Sequence, residues 1–222
     1  MEKNSKVRIP KQKRSILRKE ALREKALSLF CSKGFQQTTT NQIAEEAGMS
    51  IGSLYEYYAN KEEILYDIVD EYFTVFLNEE DKLRELFFSG IRNRDKRKWI
   101  RSIIENLIES HEASKKFNIE LHYLYFQLDK VREAINKQKM IVRKIAAEAL
   151  DSISGELTTD DTDIAAVIFC DSIEKTVDRI CLYPLTIDNK RLISDSVEMI
   201  YRYLFMNRFE VPRMTGISTK KK

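Results

Sequence analysis

The chain has 222 residues, 33% charged and 43% hydrophobic, with only six Gly and three Pro. That length buries a substantial core in one large or two small domains, and the scarcity of breakers points to a nearly all-helical protein. Net charge is +3, yet residues 1–20 carry eight basic and two acidic side chains, a surplus of +6 that leaves −3 for the rest. No run of 18 apolar residues is present, so no membrane span is expected. The basic N-terminal residues precede no apolar block, so no signal peptide is expected either. Cys31, Cys170 and Cys181 are odd in number and irregularly spaced, which fits reduced, mostly buried thiols of a cytoplasmic protein.

In chain order, residues 1–13 are polar, basic and expected to be disordered. A first helix is predicted over 14–32, with Leu22, Ala26, Leu29 and Phe30 on one face and Gly34 ending it. The segment from Thr39 to Lys61 then reads as two short helices around a tight Gly turn. Thr39 N-caps the first and Gln42 reaches back to it, a capping box. Ile43, Ala44 and Ala47 form its apolar face, and Gly48 supplies a left-handed turn. Ser50 caps the second helix, predicted over 51–57, whose inward residue is Leu54. The spacing of Ala44, Gly48 and Leu54 is that of a helix-turn-helix, in which a small inner residue packs against the second helix. Ser, Gly and Tyr side chains face outward from that helix, a surface suited to close approach to a phosphate backbone.

Asn60 caps a longer helix from Lys61, whose stripe Ile64, Leu65, Ile68, Val69, Tyr72 and Phe76 is predicted to face a core. This helix leaves the helix-turn-helix and is the natural lever to the rest. Further helices are predicted over 81–90, 96–115, 118–128, 130–153, 161–182 and 189–208. Their breaks are cued by Gly90 with Asn93, by Asn118, by Gly155 before TTDDTD, and by Pro184 with Asp188 and Asn189. The acidic 158–163 stretch lacks the Gly and terminal Glu of a calcium loop and reads as a helix N-terminus. The last two long helices, 163–182 and 190–208, are apolar over more than one stripe, so each has a surface for the core and one for a partner.

Leu22, Ala26, Leu29, Phe30 and Gly34, then Thr39, Ile43-Ala44, Ala47-Gly48, Ser50, Gly52, Leu54-Tyr55, Tyr57-Tyr58, Lys61-Glu62 and Leu65 resemble the N-terminal signature of the tetracycline-repressor (TetR) family, over roughly residues 14–66. The resemblance implies an all-α fold: a three-helix N-terminal helix-turn-helix DNA-binding domain and a larger C-terminal helical ligand-binding and dimerisation domain. The expected division is a basic arm over 1–13, the DNA-binding domain over 14–60, the helical domain over 61–210 and a polar tail over 211–222. Next to a helix-turn-helix, the basic arm is expected to lie along phosphates or enter the minor groove, the alternative being a solvated tail. Thr40, Ser50, Tyr55, Tyr57 and Lys61 match family positions that reach phosphate oxygens. Gly52 allows close backbone approach, and Ile51 and Ser53 are candidates for base edges. Three positions depart from the family pattern: Tyr58 stands where Phe is usual, Glu56 places an acid on the recognition helix, and Ile51 replaces a small or basic residue.

The implied partners are a double-stranded DNA operator, a second copy of the chain through 163–182 and 190–208, and a small-molecule effector. Trp99, His122, Tyr125 and Phe126, with Phe117 and Tyr123, form an aromatic-rich set expected to line an apolar effector pocket, the alternative being ordinary core packing. No catalytic residue, metal site or cofactor is expected. The two histidines, His111 and His122, are eleven apart, and there is no phosphate loop, nucleophile elbow or metal-spaced Cys pair. The functional expectation is a repressor released from its operator by a ligand. The alternative is an inducer-independent nucleoid or cell-division protein using the same DNA unit.

Overall fold

A computed structural model describes residues 13–78, 80–92, 94–183 and 186–206, with the backbone alone over 75–78. The basic arm before Lys13, the polar tail, the breaks assigned to Asn93 and Pro184, the packing of Phe76 and the end of the last helix beyond 206 lie outside the described residues. Ten α-helices and one 3-10 turn make up the secondary structure of the described residues, with no strand among them.

Helix α1 (Lys13–Lys33) ends at Gly34, whose φ of +84° turns the chain where other residues would be strained. Helices α2 (Thr40–Glu46) and α3 (Ile51–Tyr55) follow, then α4 (Lys61–Asn78). Asn60 caps α4 as predicted, its Oδ1 accepting from the Glu63 amide at 2.9 Å. Leu22, Ala26, Leu29 and Phe30 of α1, Ile43, Ala44 and Leu54 of the two short helices, and Ile64, Leu65, Ile68 and Val69 of α4 form one buried cluster.

Beyond lie α5 (Glu80–Ile91), α6 (Lys96–Ala113), α7 (Lys115–Tyr125), α8 (Asp129–Asp151), the 3-10 turn Ser154–Glu156, α9 (Thr162–Cys181) and α10 (Asn189–Phe205). Asp95, Asp161 and Asp188 cap α6, α9 and α10 by accepting from the amides of Lys98, Ile164 and Lys190. A second core joins α5, α6, α8, α9 and α10 through residues such as Phe87, Ile100, Ile104, Ile145, Phe169, Ile173 and Ile200. Helix α7 belongs to the first core instead: Phe117, Leu121 and Leu124, with Val131 at the start of α8, pack among the α1 and α4 side chains.

One predicted break is displaced and another has an added cause. Helix α5 ends at Ile91, one residue past Gly90 as expected, and a Cβ on Gly90 would meet Trp99 Cδ1 at 2.1 Å, so glycine there also makes room for the indole. Asn118 sits inside α7. Its side chain donates to Ser114 Oγ at 3.1 Å and accepts from the Tyr72 hydroxyl at 3.0 Å, and the actual break falls at Ser114.

Trp99 is 3% exposed and stacked on Phe169, so its ring has nowhere to retreat. Gly90→Ala is therefore expected to lower unfolding free energy by about 1–3 kcal/mol, read as a fall in the urea midpoint at constant slope. An unchanged midpoint would show that the indole yields freely.

Candidate nucleic-acid interface

The α2–α3 unit is held by its own ends. Thr39 Oγ1 accepts from the Gln42 amide at 3.3 Å while Gln42 Oε1 accepts from the Thr39 amide at 3.0 Å, closing the predicted capping box. At the other end the Met49 amide donates to Ala44 O at 2.9 Å and the Gly48 amide to Glu45 O at 3.0 Å, the paired bonds of a Schellman turn. Gly48 has φ +64°, and a Cβ there would meet nothing within 4 Å, so the backbone angle rather than space selects glycine. Ser50 Oγ caps α3 on the Ser53 amide at 3.2 Å and shares a hydrogen bond with Ser53 Oγ at 3.0 Å. Leu54 is fully buried beside Ile43 and Ala44, which fixes the angle between the two helices.

This packing turns one side of α3 outward. Ile51 and Tyr55 are 36% and 44% exposed, Gly52 is exposed, and Ser53 is half-buried. The Tyr55 hydroxyl lies 3.2 Å from Thr40 Oγ1, so two of the expected phosphate-contacting groups converge from different helices. They border a surface hollow of about 350 Å³ that Thr38, Thr39, Ala59, Asn60 and Lys61 also line. Glu56, at the C-cap of α3, is exposed to the same solvent.

Two of the expected contacts take other places. Tyr57 was expected to face outward but is 5% exposed, its hydroxyl 3.1 Å from Ser15 Oγ on α1. Glu56 keeps helical backbone angles and the Tyr57 and Tyr58 amides both donate to Leu54 O, so the two tyrosines stand three and four residues after buried Leu54, on its inward face. Lys61 also differs: its Nζ donates to the carbonyls of Phe35, Gln36 and Thr38 at 2.8, 3.3 and 3.2 Å and lies 4.4 Å from the Phe35 ring centroid. An ammonium has three donors, and all three are satisfied by the α1–α2 loop. Lys61 therefore fastens that loop to α4.

Tyr58, the departure from the family's Phe, is 3% exposed and donates to Asp67 Oδ2 at 2.6 Å. Asp67 also pairs with Lys19 at 2.8 Å, joining α4 to α1. Burial raises the Asp67 carboxyl, but hydrogen bonds from Lys19 and Tyr58 and the charges of Lys19 and Arg23 outweigh it and hold the group below its ordinary value. Sequence reasoning missed this junction because its members come from separate helices.

The expected aromatic pocket does not form. Trp99 belongs to the second core, whereas His122, Tyr125 and Phe126 lie near the end of α7, and Phe126 is 73% exposed. The reason is the placement of α7 on the first core, which separates its aromatic end from the Trp99–Phe169 stack. A groove of about 410 Å³ between α8 and α9 is lined by Arg143, Lys144, Ala147, Glu148, Thr162 and Val167 among others, and by none of the four. Among the described residues no group of three or more His, Cys, Asp or Glu side chains is placed to hold a metal, and no helix is long and apolar enough to cross a membrane.

Residues 22–68 match the family of bacterial regulatory proteins described as the tetR family. That segment, from the middle of α1 into α4, is what the family's model matches. The chain is 34% identical over 98 residues to the HTH-type transcriptional repressor KstR2 of Rhodococcus jostii, covering 44% of this chain and 45% of the relative. It is 30% identical over 122 residues to IcaR of Staphylococcus epidermidis, the negative transcriptional regulator of the biofilm operon icaADBC, covering 54% and 58%. The chain thus spans about half the length of these curated relatives. The fold extends further: a TetR-family transcriptional regulator from Mesorhizobium loti superposes with a TM-score of 0.65 at 17% identity, covering 87% of this chain and all of that one. The tetR family is one of transcriptional regulators, and the matched stretch contains the whole α2–turn–α3 unit.

Lys61→Met removes three hydrogen bonds to loop carbonyls, two of them part-buried, and is expected to destabilise the protein by about 1–3 kcal/mol. The salt dependence of DNA binding is expected to stay unchanged, whereas loss of a phosphate contact reduces that slope by about 1. Thermal unfolding together with a salt titration of DNA affinity separates the two roles.

Proposed function

We propose that this chain is a homodimeric transcriptional regulator of the repressor kind, which binds a double-stranded DNA operator through α2 and α3 and releases it when a small ligand favours a second conformation. The observation that carries the reading is the outward face of the capped α2–α3 unit: Thr40 and Tyr55 hydroxyls side by side, with exposed Gly52 and Ile51 on the same short helix. Hydroxyls at helix ends hold phosphate oxygens and set register; Ile51 and Ser53 reach base edges, Ile51 against a thymine methyl. Ser50 contributes through its cap on α3. On this reading residues 14–60 form the DNA-binding part and 61–210 the regulatory part, acting in the bacterial cytoplasm.

A dimer is supported by apolar side chains left in solvent on α9 and α10. Ile164, Val167 and Ile168 are 56%, 40% and 40% exposed, and Met199 is 54% exposed. Pairing of these faces across a twofold axis lets two copies of α3 enter successive major grooves about 34–36 Å apart or somewhat further. The ligand acts by binding more tightly to the state whose two heads no longer match that spacing.

Selection of duplexes from a random library by the purified protein tests the reading. A recovered palindromic consensus supports it; recovery of no consensus, or equal affinity for all duplexes, overturns it. On the selected duplex, Tyr55→Phe is expected to weaken binding to every sequence about equally, whereas Ile51→Ala shifts preference between sites, each lost base contact costing about 1–3 kcal/mol. Val167→Asp is expected to convert a sedimenting dimer to monomer; a variant that remains dimeric places the interface elsewhere.

A further inference from the structure

The backbone of Phe35 is gripped on both sides of its Cα by different parts of the molecule. Its N–H, just past the end of α1, donates to Glu120 Oε1 of α7 at 2.7 Å. Its carbonyl accepts from Lys61 Nζ of α4 at 2.8 Å. Beside it, Gln36 Nε2 donates to Gln127 Oε1, just beyond α7, at 2.9 Å. The Phe35 side chain is 2% exposed and packs edge-on against Phe30, so the loop has little freedom once the two grips are made. Four residues after Phe35, Thr39 caps α2.

We propose that Glu120 is a positioning residue for DNA binding, and that α7 is a second strut, beside α4, setting where the α2–α3 head sits on the body. The proposal rests on the DNA-binding reading above. A carboxylate accepting from a backbone amide makes a short, charge-assisted bond, and its loss leaves the part-buried Phe35 N–H without its acceptor. Two residues further along α7, His122 packs its ring edge-on against Tyr183 with centroids 5.5 Å apart. Tyr183 follows the end of α9. The strut therefore runs from the end of α9 to the loop that carries the head. The ring of Tyr72 on α4 also meets Phe117 of α7, and its hydroxyl reaches Asn118, so the two struts are joined partway.

The test uses the full chain with Glu120→Ala, Glu120→Gln and Glu120→Asp, a duplex selected by the wild type, and a random-sequence duplex. It adds hydrogen exchange of the Phe35 amide measured by NMR. Glu120→Ala is expected to weaken the selected duplex about tenfold, equivalent to about 1.4 kcal/mol, to change random-duplex affinity far less, and to speed Phe35 exchange. Glu120→Gln keeps an oxygen acceptor at the same reach and is expected to bind and exchange like wild type. The proposal is overturned by wild-type affinity in Glu120→Ala, by equal losses on both duplexes, or by a Gln variant as weak as the Ala variant. Should Glu120→Ala not fold, Glu120→Asp decides: it withdraws the acceptor by one methylene, so normal affinity and slow exchange there overturn the proposal. Failure of the wild type to select any sequence instead sinks the DNA-binding reading, while the exchange measurement still decides whether Glu120 holds the loop.

Discussion

Helices of seven and five residues do not persist on their own, because the first turn fixes several dihedrals for one hydrogen bond. Everything α2 and α3 present to solvent therefore depends on a core they do not themselves supply. That core is built by Leu22, Ala26 and Phe30 of α1, by Ile64, Leu65 and Ile68 of α4, and by Phe117, Leu121 and Leu124 of α7. The two short helices contribute Ile43, Ala44 and Leu54, all at or near zero exposure. Capping completes what burial begins: the Thr39–Gln42 box and the Gly48 turn satisfy backbone groups that a short helix otherwise leaves open to water.

Polar side chains around the head divide between those that hold it and those it presents. Lys61, Tyr57 and Tyr58 lie within a family motif, and their chemistry alone suits each of them to a phosphate. Geometry assigns them inward work: Lys61 to three loop carbonyls, Tyr57 to Ser15 and Tyr58 to Asp67. For the two tyrosines the distinction follows from their spacing from Leu54. Tyr57 and Tyr58 follow Leu54 by three and four residues in a turn that their amides continue, so they share its inward face and not that of Ile51 and Tyr55. What remains outward is mostly uncharged, so any attraction to a polyanion comes from elsewhere, and exposed Lys13, Arg14 and Arg18 at the start of α1 are tied near the head through the Ser15–Tyr57 contact.

Local chemistry was legible from sequence, and long-range placement was not. The capping box, the left-handed Gly48, the Asn60 cap and the acidic start of α9 each involve residues within a few positions of one another, and each has the geometry expected of it. Gly90 does stand at the end of α5, but its contact with Trp99 gave no local signal, and Asn118, read by local rules as a breaker, lies inside α7 and answers to Tyr72 instead. The aromatic set failed for the same reason. Trp99 and His122 lie 23 positions apart in sequence but pack with different cores, and periodicity within one helix carries no information about which core it joins. Glu120 gave no signal at all, since an acid on a helix face ordinarily reads as solvated.

The placement of α7 changes how the lever must be understood. A head attached only through α4 swings wherever that helix points. Here the head's loop is also bonded to Glu120, and α7 packs into the same core as α1 and α4. Movement of α4 by itself would stretch the bonds from Glu120 to Phe35 and from Asn118 to Tyr72, so small displacements are resisted and the head moves only if α7 moves with it or those bonds break. An arrangement of that kind favours two discrete positions over a continuum, because packed interfaces switch rather than bend. On the proposed dimeric reading, a ligand bound in the body would need only a modest preference for one position to change the spacing between two heads. On that reading the Phe35 backbone, held by α4 on one side and α7 on the other, is where the preference would reach the α2–α3 unit.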